Sequence, residues 1–338
     1  MVTFSRRNFL FLTLAAPLLA MRNAYGKVIT VNGTVLSDRL GKTLVHEHVL
    51  VDFIGADQIN VNRWDKVEVV NRMAPLFAEA KAYGVKTIVE CTPAFLGRDP
   101  RLLKMLSDKT GIRIITNTGY YGAMNNKFLP PWAFTETAEQ LSQRWIDDFD
   151  YGIDGSNIRP GFIKISVDAP AEGLSELHKK LVSAAALTHL RTGLTIYSHT
   201  GPAHAAFEQL EILRSLKVSP SAFVWVHAQT EKDKSQYVRA AKMGAWVSLD
   251  GITSEYDDYA ASISMLKSEG LLRRVLISQD SGYYHPGEKD GGDIKGYTSI
   301  FQELIARLTK KGFDKKDIKQ LLVKNPAEVL TLDTRKLK

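Results

Sequence analysis

The sequence has little of two features that would narrow its class at once, cysteine and long apolar runs. Its 338 residues contain one cysteine, Cys91, which excludes an intramolecular disulfide and a metal site built from several thiolates. The longest apolar run, residues 9–20, is shorter than the roughly 20 residues that span a bilayer. With 44% hydrophobic and 24% charged residues, the composition instead predicts a soluble globular protein with a sizeable core.

The first 26 residues predict an export signal. Arg6 and Arg7 precede the apolar run, and Ala24-Tyr25-Gly26 offers a small-x-small cleavage site. The adjacent arginines resemble the twin-arginine type of signal; an ordinary secretory signal or a single membrane anchor is the alternative. We expect residues 1–26 to be removed, leaving residues 27–338 periplasmic or secreted, with no stable membrane anchor.

The basic charge does not predict a nucleic-acid partner. The formal net charge is +7, but removal of residues 1–26 takes away three arginines and no acid, which leaves +4. No run of five Lys or Arg residues occurs, and the basic residues alternate with acids, as in Lys232-Asp233-Lys234. This alternation is typical of solvated helix faces, so we expect a small-molecule partner.

Eight short β-rich apolar runs recur along the rest of the chain, at residues 43–49, 85–92, 112–119, 161–166, 194–200, 223–229, 246–251 and 274–280. Segments of helical periodicity separate them, including residues 66–83, 136–151, 174–191, 203–216, 231–243 and 259–270. This alternation predicts an α/β fold, a (β/α)8 TIM barrel, in preference to an open doubly wound sheet. Residues 27–41 predict an N-terminal β-hairpin, and the tail from Asp314 predicts one or two C-terminal helices.

Metal-binding side chains end several of the predicted strands. Catalytic groups of such barrels lie at the carboxyl ends of the strands, where we find His46, His48, Lys164, His199, His227 and Asp280. His46 and His48 are two residues apart, so a strand directs both side chains to one face. Imidazole and carboxylate ligands together suit a transition-metal ion. The pattern therefore predicts a metal site.

Lys164 has two interpretations. An ammonium group inside a barrel is costly unless it is paired or chemically changed. Lys164 could form a salt bridge to an interior acid. Alternatively, its amine could add carbon dioxide and become N6-carboxylysine, a carbamate whose two oxygens can bridge two cations.

Over almost its whole length, the mature chain resembles the phosphotriesterase-like branch of the amidohydrolase superfamily. The motifs that carry the resemblance are Val45-His46-Glu47-His48, Gly161-Phe162-Ile163-Lys164, Ser198-His199-Thr200, Val226-His227 and Ser278-Gln279-Asp280. They match the family's first-strand histidine pair, its carboxylated-lysine strand, its two further histidine strands and its final aspartate.

The resemblance implies two divalent metals, usually zinc, bridged by carboxylated Lys164 and a hydroxide. The more buried metal would take His46, His48 and Asp280, and the more exposed metal would take His199 and His227. The hydroxide would attack an ester-type bond, with Asp280 accepting its proton. A homodimer is also implied.

The loops after the strands should determine the substrate. Tyr120, Tyr121 and Tyr283 are expected to wall an apolar pocket, and Tyr121 matches a tyrosine near the exposed metal of lactonase members. Gly251 departs from the family, where lactonases tend to carry arginine and organophosphate hydrolases histidine; a glycine would leave room. We predict hydrolysis of a lactone or other carboxylic ester, with phosphotriester hydrolysis as a primary or side activity.

Other classes remain open at this point. A cyclic amidase or deaminase of the same superfamily is one alternative, although a mononuclear deaminase usually lacks the bridging lysine. A non-catalytic metal-binding or ligand-binding barrel is another, because a fold does not by itself give a function. A purely structural barrel would not explain why Lys164 lies among the histidines.

Overall fold

The computed structural model describes residues 26–337, so the predicted export segment lies outside the described residues except for Gly26. The strands are β1 (Lys27–Thr30), β2 (Gly33–Leu36), β3 (Lys42–Glu47), β4 (Val85–Glu90), β5 (Arg113–Ile115), β6 (Asn117–Thr118), β7 (Phe162–Ser166), β8 (Ile196–His199), β9 (Phe223–Val226), β10 (Trp246–Leu249) and β11 (Val275–Ile277). The helices are α1 (Lys66–Ala82), α2 (Pro100–Thr110), α3 (Trp132–Thr135), α4 (Ala138–Tyr151), α5 (Glu176–Thr192), α6 (Ala203–Ser215), α7 (Ser235–Lys242), α8 (Tyr256–Ser268), α9 (Ile305–Lys310), α10 (Lys315–Lys319) and α11 (Asn325–Leu330).

The strands from β3 onward are parallel and follow one another around a TIM barrel, which confirms the predicted fold. One run of paired strands is β3-β4-β5 and the other is β6-β7-β8-β9-β10-β11. The two runs meet at Thr116, which separates β5 from β6 within the third barrel strand. Backbone hydrogen bonds also join β3 to the chain that follows β11. The amide of Asp280 donates to the carbonyl of His46 over 3.1 Å, and the amide of His48 donates to the carbonyl of Ser281 over 2.8 Å.

Alternation along the strands separates two apolar layers. Inside the barrel lies a cluster that includes Val89, Cys91, Phe162, Tyr197 and Trp246. Neighbouring strand residues point outward and pack against the helices in a larger cluster. The period of two residues in a strand accounts for this division.

Strand β3 carries an irregularity that orients the first two histidines. Leu44 pairs with Ile88 and Glu47 pairs with Glu90, so β3 has one residue more than β4 over the same stretch. Such a bulge turns the following side chains relative to the preceding ones. Val45 therefore belongs to the interior cluster, and His46 still points into the barrel.

Local capping sets several helix ends. The carboxylates of Asp65 and Asp99 accept the first free amides of α1 and α2. Gly111 ends α2 in the left-handed region, at φ +72°, where a glycine carries no Cβ penalty. These caps determine where α1 begins and where α2 begins and ends.

The two terminal predictions are also confirmed. β1 and β2 form an antiparallel hairpin in which Thr30 pairs with Gly33. Asp314 caps α10 with a capping box, and a π-helical turn at Gln320–Lys324 leads into α11. Across residues 26–337, the helices are too short or too polar to cross a membrane.

The side chain of Glu47, at the end of β3, forms hydrogen bonds to the chain that follows β11. Its buried carboxylate accepts from the Ser278 hydroxyl over 2.8 Å and from the Ser281 amide over 2.9 Å. The amide and side chain of Gln279 donate to it as well, over 3.2 and 3.4 Å. One side chain thus holds the segment that carries Asp280.

We predict that Glu47→Ala lowers the free energy of unfolding by about 3 kcal/mol, because it leaves several buried donors without an acceptor. Urea unfolding of the chelator-treated protein measures this effect without a contribution from bound metal. Glu47→Gln keeps the shape and one acceptor oxygen, so it should lose less. A loss below about 1 kcal/mol for the alanine variant would contradict the role given to Glu47.

Candidate metal centre

The metal-binding residues predicted from the sequence meet in one cavity at the carboxyl ends of the barrel strands. The cavity is lined by His46, His48, Val51, Phe53, Cys91, Leu96, Tyr121, Lys164, His199, His227, Asp280 and Tyr283. Six of these are the predicted ligands, contributed by β3, β7, β8 and the residues that follow β3, β9 and β11. The barrel therefore brings together side chains that are far apart in the sequence.

Asp280 is the point on which three imidazoles converge. Its Oδ1 lies 3.1 Å from Nε2 of His48 and 3.6 Å from Nε2 of His46. Its Oδ2 lies 3.9 Å from Nε2 of His227. The ring of His199 stands against that of His227, with 4.2 Å between the centroids.

Hydrogen bonds on the far side of these rings determine which nitrogen faces the cavity. Nδ1 of His48 lies 2.7 Å from the Thr92 hydroxyl. Nδ1 of His46 and Nδ1 of His227 donate to the carboxylate of Asp250, over 3.1 and 2.8 Å. With the proton on Nδ1, the rings of His46 and His227 present the lone pair of Nε2 to Asp280.

Lone pairs that face a carboxylate are repelled by it unless a cation lies between them. The separations of 3.1–3.9 Å suit donors that share an ion at about 2 Å from each. The nitrogen and oxygen donors are those of a divalent transition metal. The residues therefore fit a metal centre.

The pKa shifts of three of the four histidines agree with this interpretation, whereas burial of His227 is outweighed by Asp250, whose charge and hydrogen bond raise the pKa of that histidine. Burial, helped by the charge of Lys164, lowers the pKa of His46 to about 4, and burial also lowers the pKa of His48 and His199. Burial alone would raise the pKa of Asp280, but the neighbouring histidines outweigh it and hold that pKa below its usual range. Neutral imidazoles and an ionised carboxylate are the forms that bind metals.

Lys164 lies deep in the same cavity, with 1% of its surface exposed. The nearest polar group is Nε2 of His46, 3.4 Å from Nζ. Within residues 26–337, Lys164 forms no salt bridge to a carboxylate, although Asp280 and Asp250 lie close by. The interior salt bridge considered from the sequence is therefore absent from the described part of the chain.

His227 and Asp280 both adopt left-handed backbone conformations, at φ +60° and φ +52°. These are uncommon for residues with a Cβ and recur at functional sites. The amide of His227 donates to the carboxylate of Asp250 over 3.1 Å, and the amide of Asp280 donates to the carbonyl of His46. Each turn ends a strand while keeping its side chain in the cavity.

Aromatic side chains wall the cavity as expected for two of the three tyrosines. The hydroxyl of Tyr121 lies 3.3 Å from both ring nitrogens of His199. Tyr283 donates to Oδ1 of Asp280 over 2.5 Å, and its ring lies 4.6 Å from that of His48.

Tyr120 does not reach the cavity. Its hydroxyl accepts from the Trp132 indole over 3.1 Å, and its ring packs against Phe95 and Trp145 in the layer outside the barrel. Successive residues of an extended chain point in opposite directions, so only one of the adjacent tyrosines can face the cavity. Tyr120 was expected to contact the substrate, but in the structure it packs in the layer outside the barrel.

The room expected beside Gly251 is filled. A Cβ at this position would lie 2.6 Å from Nε2 of Gln229 and 3.3 Å from the Tyr259 hydroxyl. Gln229 is held there because its side chain exchanges hydrogen bonds with Asp250, over 3.2 and 3.3 Å. Gly251 thus admits Gln229, and the expectation of open space for a substrate is wrong.

Asp250 is the functional residue that sequence reasoning missed. It directly follows β10, so it is a polar residue ending an apolar strand, like the six ligands. That signal was available in the sequence. What the sequence does not reveal is that one carboxylate contacts two histidines from different strands.

Cys91 and the remaining histidines take structural positions. The buried thiol of Cys91 contacts the carbonyl of Val45 at 3.8 Å, and burial raises its pKa, so it is an unreactive part of the cavity floor. His178 and His189 bind backbone carbonyls, and so does the exposed His204. The ring of His285 lies 5.9 Å from that of Phe53 at the rim.

Fold and donor set together define the class: a TIM barrel with a candidate metal centre at the carboxyl ends of its strands. The model of the phosphotriesterase family matches residues 26–330. The chain belongs to this family and is a phosphotriesterase-family hydrolase.

Three relatives show how broad the similarity is. The phosphotriesterase homology protein of Escherichia coli K12 is 29% identical, covering 86% of this chain and 98% of that protein. The N-acetyltaurine hydrolase of Xenopus tropicalis is 26% identical, covering 92% and 99%. The aryldialkylphosphatase of Saccharolobus solfataricus is 27% identical, covering 87% and 96%.

We predict that zinc raises the thermal unfolding midpoint of the chelator-treated protein, because binding to the folded state alone adds about 4 kcal/mol when the metal is at 1,000 times its dissociation constant. His227→Ala should reduce this increase, as measured by calorimetry. His204→Ala is the matched control and should keep it. An equal increase in both variants would argue against the centre described.

Proposed function

We propose that the protein is a binuclear metal-dependent hydrolase of a carboxylic ester or lactone. The observation that carries this proposal is the convergence of imidazole lone pairs on an ionised Asp280, in a cavity that also holds Lys164. His46, His48 and Asp280 would hold one metal, and His199 and His227 the other. Lys164 would bridge them.

When bound, two divalent metals supply Lewis acidity and make water nucleophilic near neutral pH. The chain supplies a proton acceptor in Asp280, whose low pKa keeps it ionised before the reaction. Tyr283 donates to Oδ1 of this carboxylate and so fixes its orientation. Asp280 would then hold the proton of the attacking water until it passes to the leaving group.

We propose that Lys164 is carboxylated. The neutral amine attacks carbon dioxide, an N–C bond forms, and one proton is released, which leaves a carbamate anion in place of a buried cation. The isolated position of Nζ supports this, since a buried ammonium without a carboxylate partner is unfavourable. Carboxylation also supplies the negative charge that two metal ions require.

The walls of the cavity support an uncharged substrate of modest size. Val51, Phe53, Leu96 and the two tyrosines are apolar or neutral, and Lys164 is the one basic residue other than histidine among the lining residues. An uncharged lactone or ester suits these walls.

A compact N-acyl amide is the second candidate. Relatives named N-acetyltaurine hydrolase align with 92% of this chain, and the small apolar space beside the metals would accept a short acyl group. An anionic amine portion has no arginine to pair with among the lining residues. We therefore rank an uncharged ester above an amide of this kind.

We also propose that residues 1–26 are an export signal and that residues 27–338 act outside the cytoplasm as a homodimer. The arginine pair and the apolar run of residues 9–20 support export. Detection of a shortened chain in the periplasmic fraction tests it.

We predict that Asp280→Asn and Lys164→Ala each lower kcat by at least about 100-fold, because one removes the proton acceptor and the other the bridge. Rates should be compared on samples of known metal content. Near-normal turnover by either variant would contradict its assigned role. In wild-type protein supplied with labelled bicarbonate, a carbamate carbon resonance that is absent from Lys164→Ala tests the modification.

We predict that kcat/KM is highest for a lactone or small ester when lactones, aryl esters, N-acyl amides and dialkyl aryl phosphates are compared. The apolar walls, which offer no arginine to pair with an anionic substrate, are the physical reason. A higher value for phosphotriesters or amides would replace the proposed substrate class. A metal content of one ion per chain would favour the mononuclear deaminase type of site.

A further inference from the structure

Asp250 is a fully buried carboxylate beneath the metal centre. It lies at the end of β10, and its surface is 0% exposed. Both of its oxygens accept hydrogen bonds from histidine side chains. A buried carboxylate is costly unless hydrogen bonds of this kind satisfy it.

Its two oxygens serve different histidines. Oδ2 accepts from Nδ1 of His46 over 3.1 Å, and Oδ1 accepts from Nδ1 of His227 over 2.8 Å. Oδ1 also accepts from the His227 amide over 3.1 Å and from the Gln229 side chain over 3.3 Å. The carboxylate therefore spans the floor between two strands that supply ligands.

His46, His227 and Asp250 lie close enough to be considered a metal site themselves. The direction of the rings argues against this. Both histidines turn Nε2 toward Asp280 and use Nδ1 for Asp250. A metal-bound imidazole commonly coordinates through one nitrogen and donates the other N–H to a carboxylate, which is the role Asp250 fits.

We propose that Asp250 is a positioning residue that joins the two halves of the metal centre. It fixes the tautomer and orientation of one histidine from each half, His46 for the more buried metal and His227 for the more exposed one. This inference rests on the proposed binuclear centre. It adds that a single carboxylate sets both metal affinities.

The unequal surroundings of the two oxygens make Asp250→Asn informative. The amide oxygen of asparagine should take the Oδ1 position, where three donors converge. The amide NH2 then faces Nδ1 of His46, which must become an acceptor and carry its proton on Nε2. A protonated Nε2 cannot bind a metal, so His46 is lost as a ligand while His227 keeps its partner.

We predict that Asp250→Asn weakens binding at the His46 position by about 10–100-fold and leaves the other position near its wild-type affinity. Titration of the full chain with zinc against a competing chelator measures both affinities. Cobalt(II) spectra report the ligand geometry of each ion independently of activity. The variant should retain one tightly bound ion with a changed cobalt spectrum.

Ser248→Ala is the matched control, because Ser248 lies two residues earlier on the same inward face, fully buried, and its hydroxyl has no partner within the described residues. It should bind two ions as the wild type does. Asp250→Ala should weaken both positions, which supports the proposal even if Asp250→Asn proves unstable.

The possible outcomes distinguish the proposed role of Asp250 from the proposed binuclear centre. Two tight ions in the wild type and in both Asp250 variants, with unchanged cobalt spectra, would overturn the role of Asp250 alone. A wild type that binds no second ion would overturn the binuclear centre itself. Equal loss at both positions in Asp250→Asn would overturn the tautomer argument.

Discussion

The pairing of β3 with the chain after β11 is the constraint on which the site depends. It closes the barrel and places His46 and His48 opposite Asp280, with the Asp280 amide bound to the carbonyl of His46. Glu47 strengthens the same junction from the side away from the cavity, through the Ser278 hydroxyl and the Ser281 amide. The same hydrogen bonds therefore close the barrel and position the candidate ligands. Weakening these bonds should also displace the ligands.

The cavity concentrates groups that a folded protein normally avoids burying together. One carboxylate, a lysine and four imidazoles share a space walled by apolar side chains, and the carboxylate of Asp250 lies beneath it. Their mutual charges and burial shift pKa values in opposite directions, down for His46 and up for His227. Such opposed shifts are typical of functional sites. Asp250 and the hydroxyl of Thr92 hold three of the four rings from behind.

Much of the fold and of the candidate site could be predicted from the sequence because each barrel strand is marked by its own apolar run. The eight apolar runs correspond to the barrel strands, and a polar residue at a run's end marks the catalytic edge. The prediction failed where a side chain's surroundings decide its role. Tyr120 and Tyr121 are identical in type, yet one packs on Trp145 and the other meets His199. Gly251 offers space by composition, yet Gln229 fills it.

By itself, the sequence determined the barrel, the positions of the six candidate ligands and the presence of a lysine that needs a partner or a modification. These follow from local periodicity and residue chemistry. The tertiary structure decided which nitrogen of each histidine faces the cavity, that Lys164 has no carboxylate partner in the described chain, and that Asp250 links two strands. Those properties depend on distances between residues remote in sequence. The bulge in β3 and the left-handed turns at His227 and Asp280 set such distances.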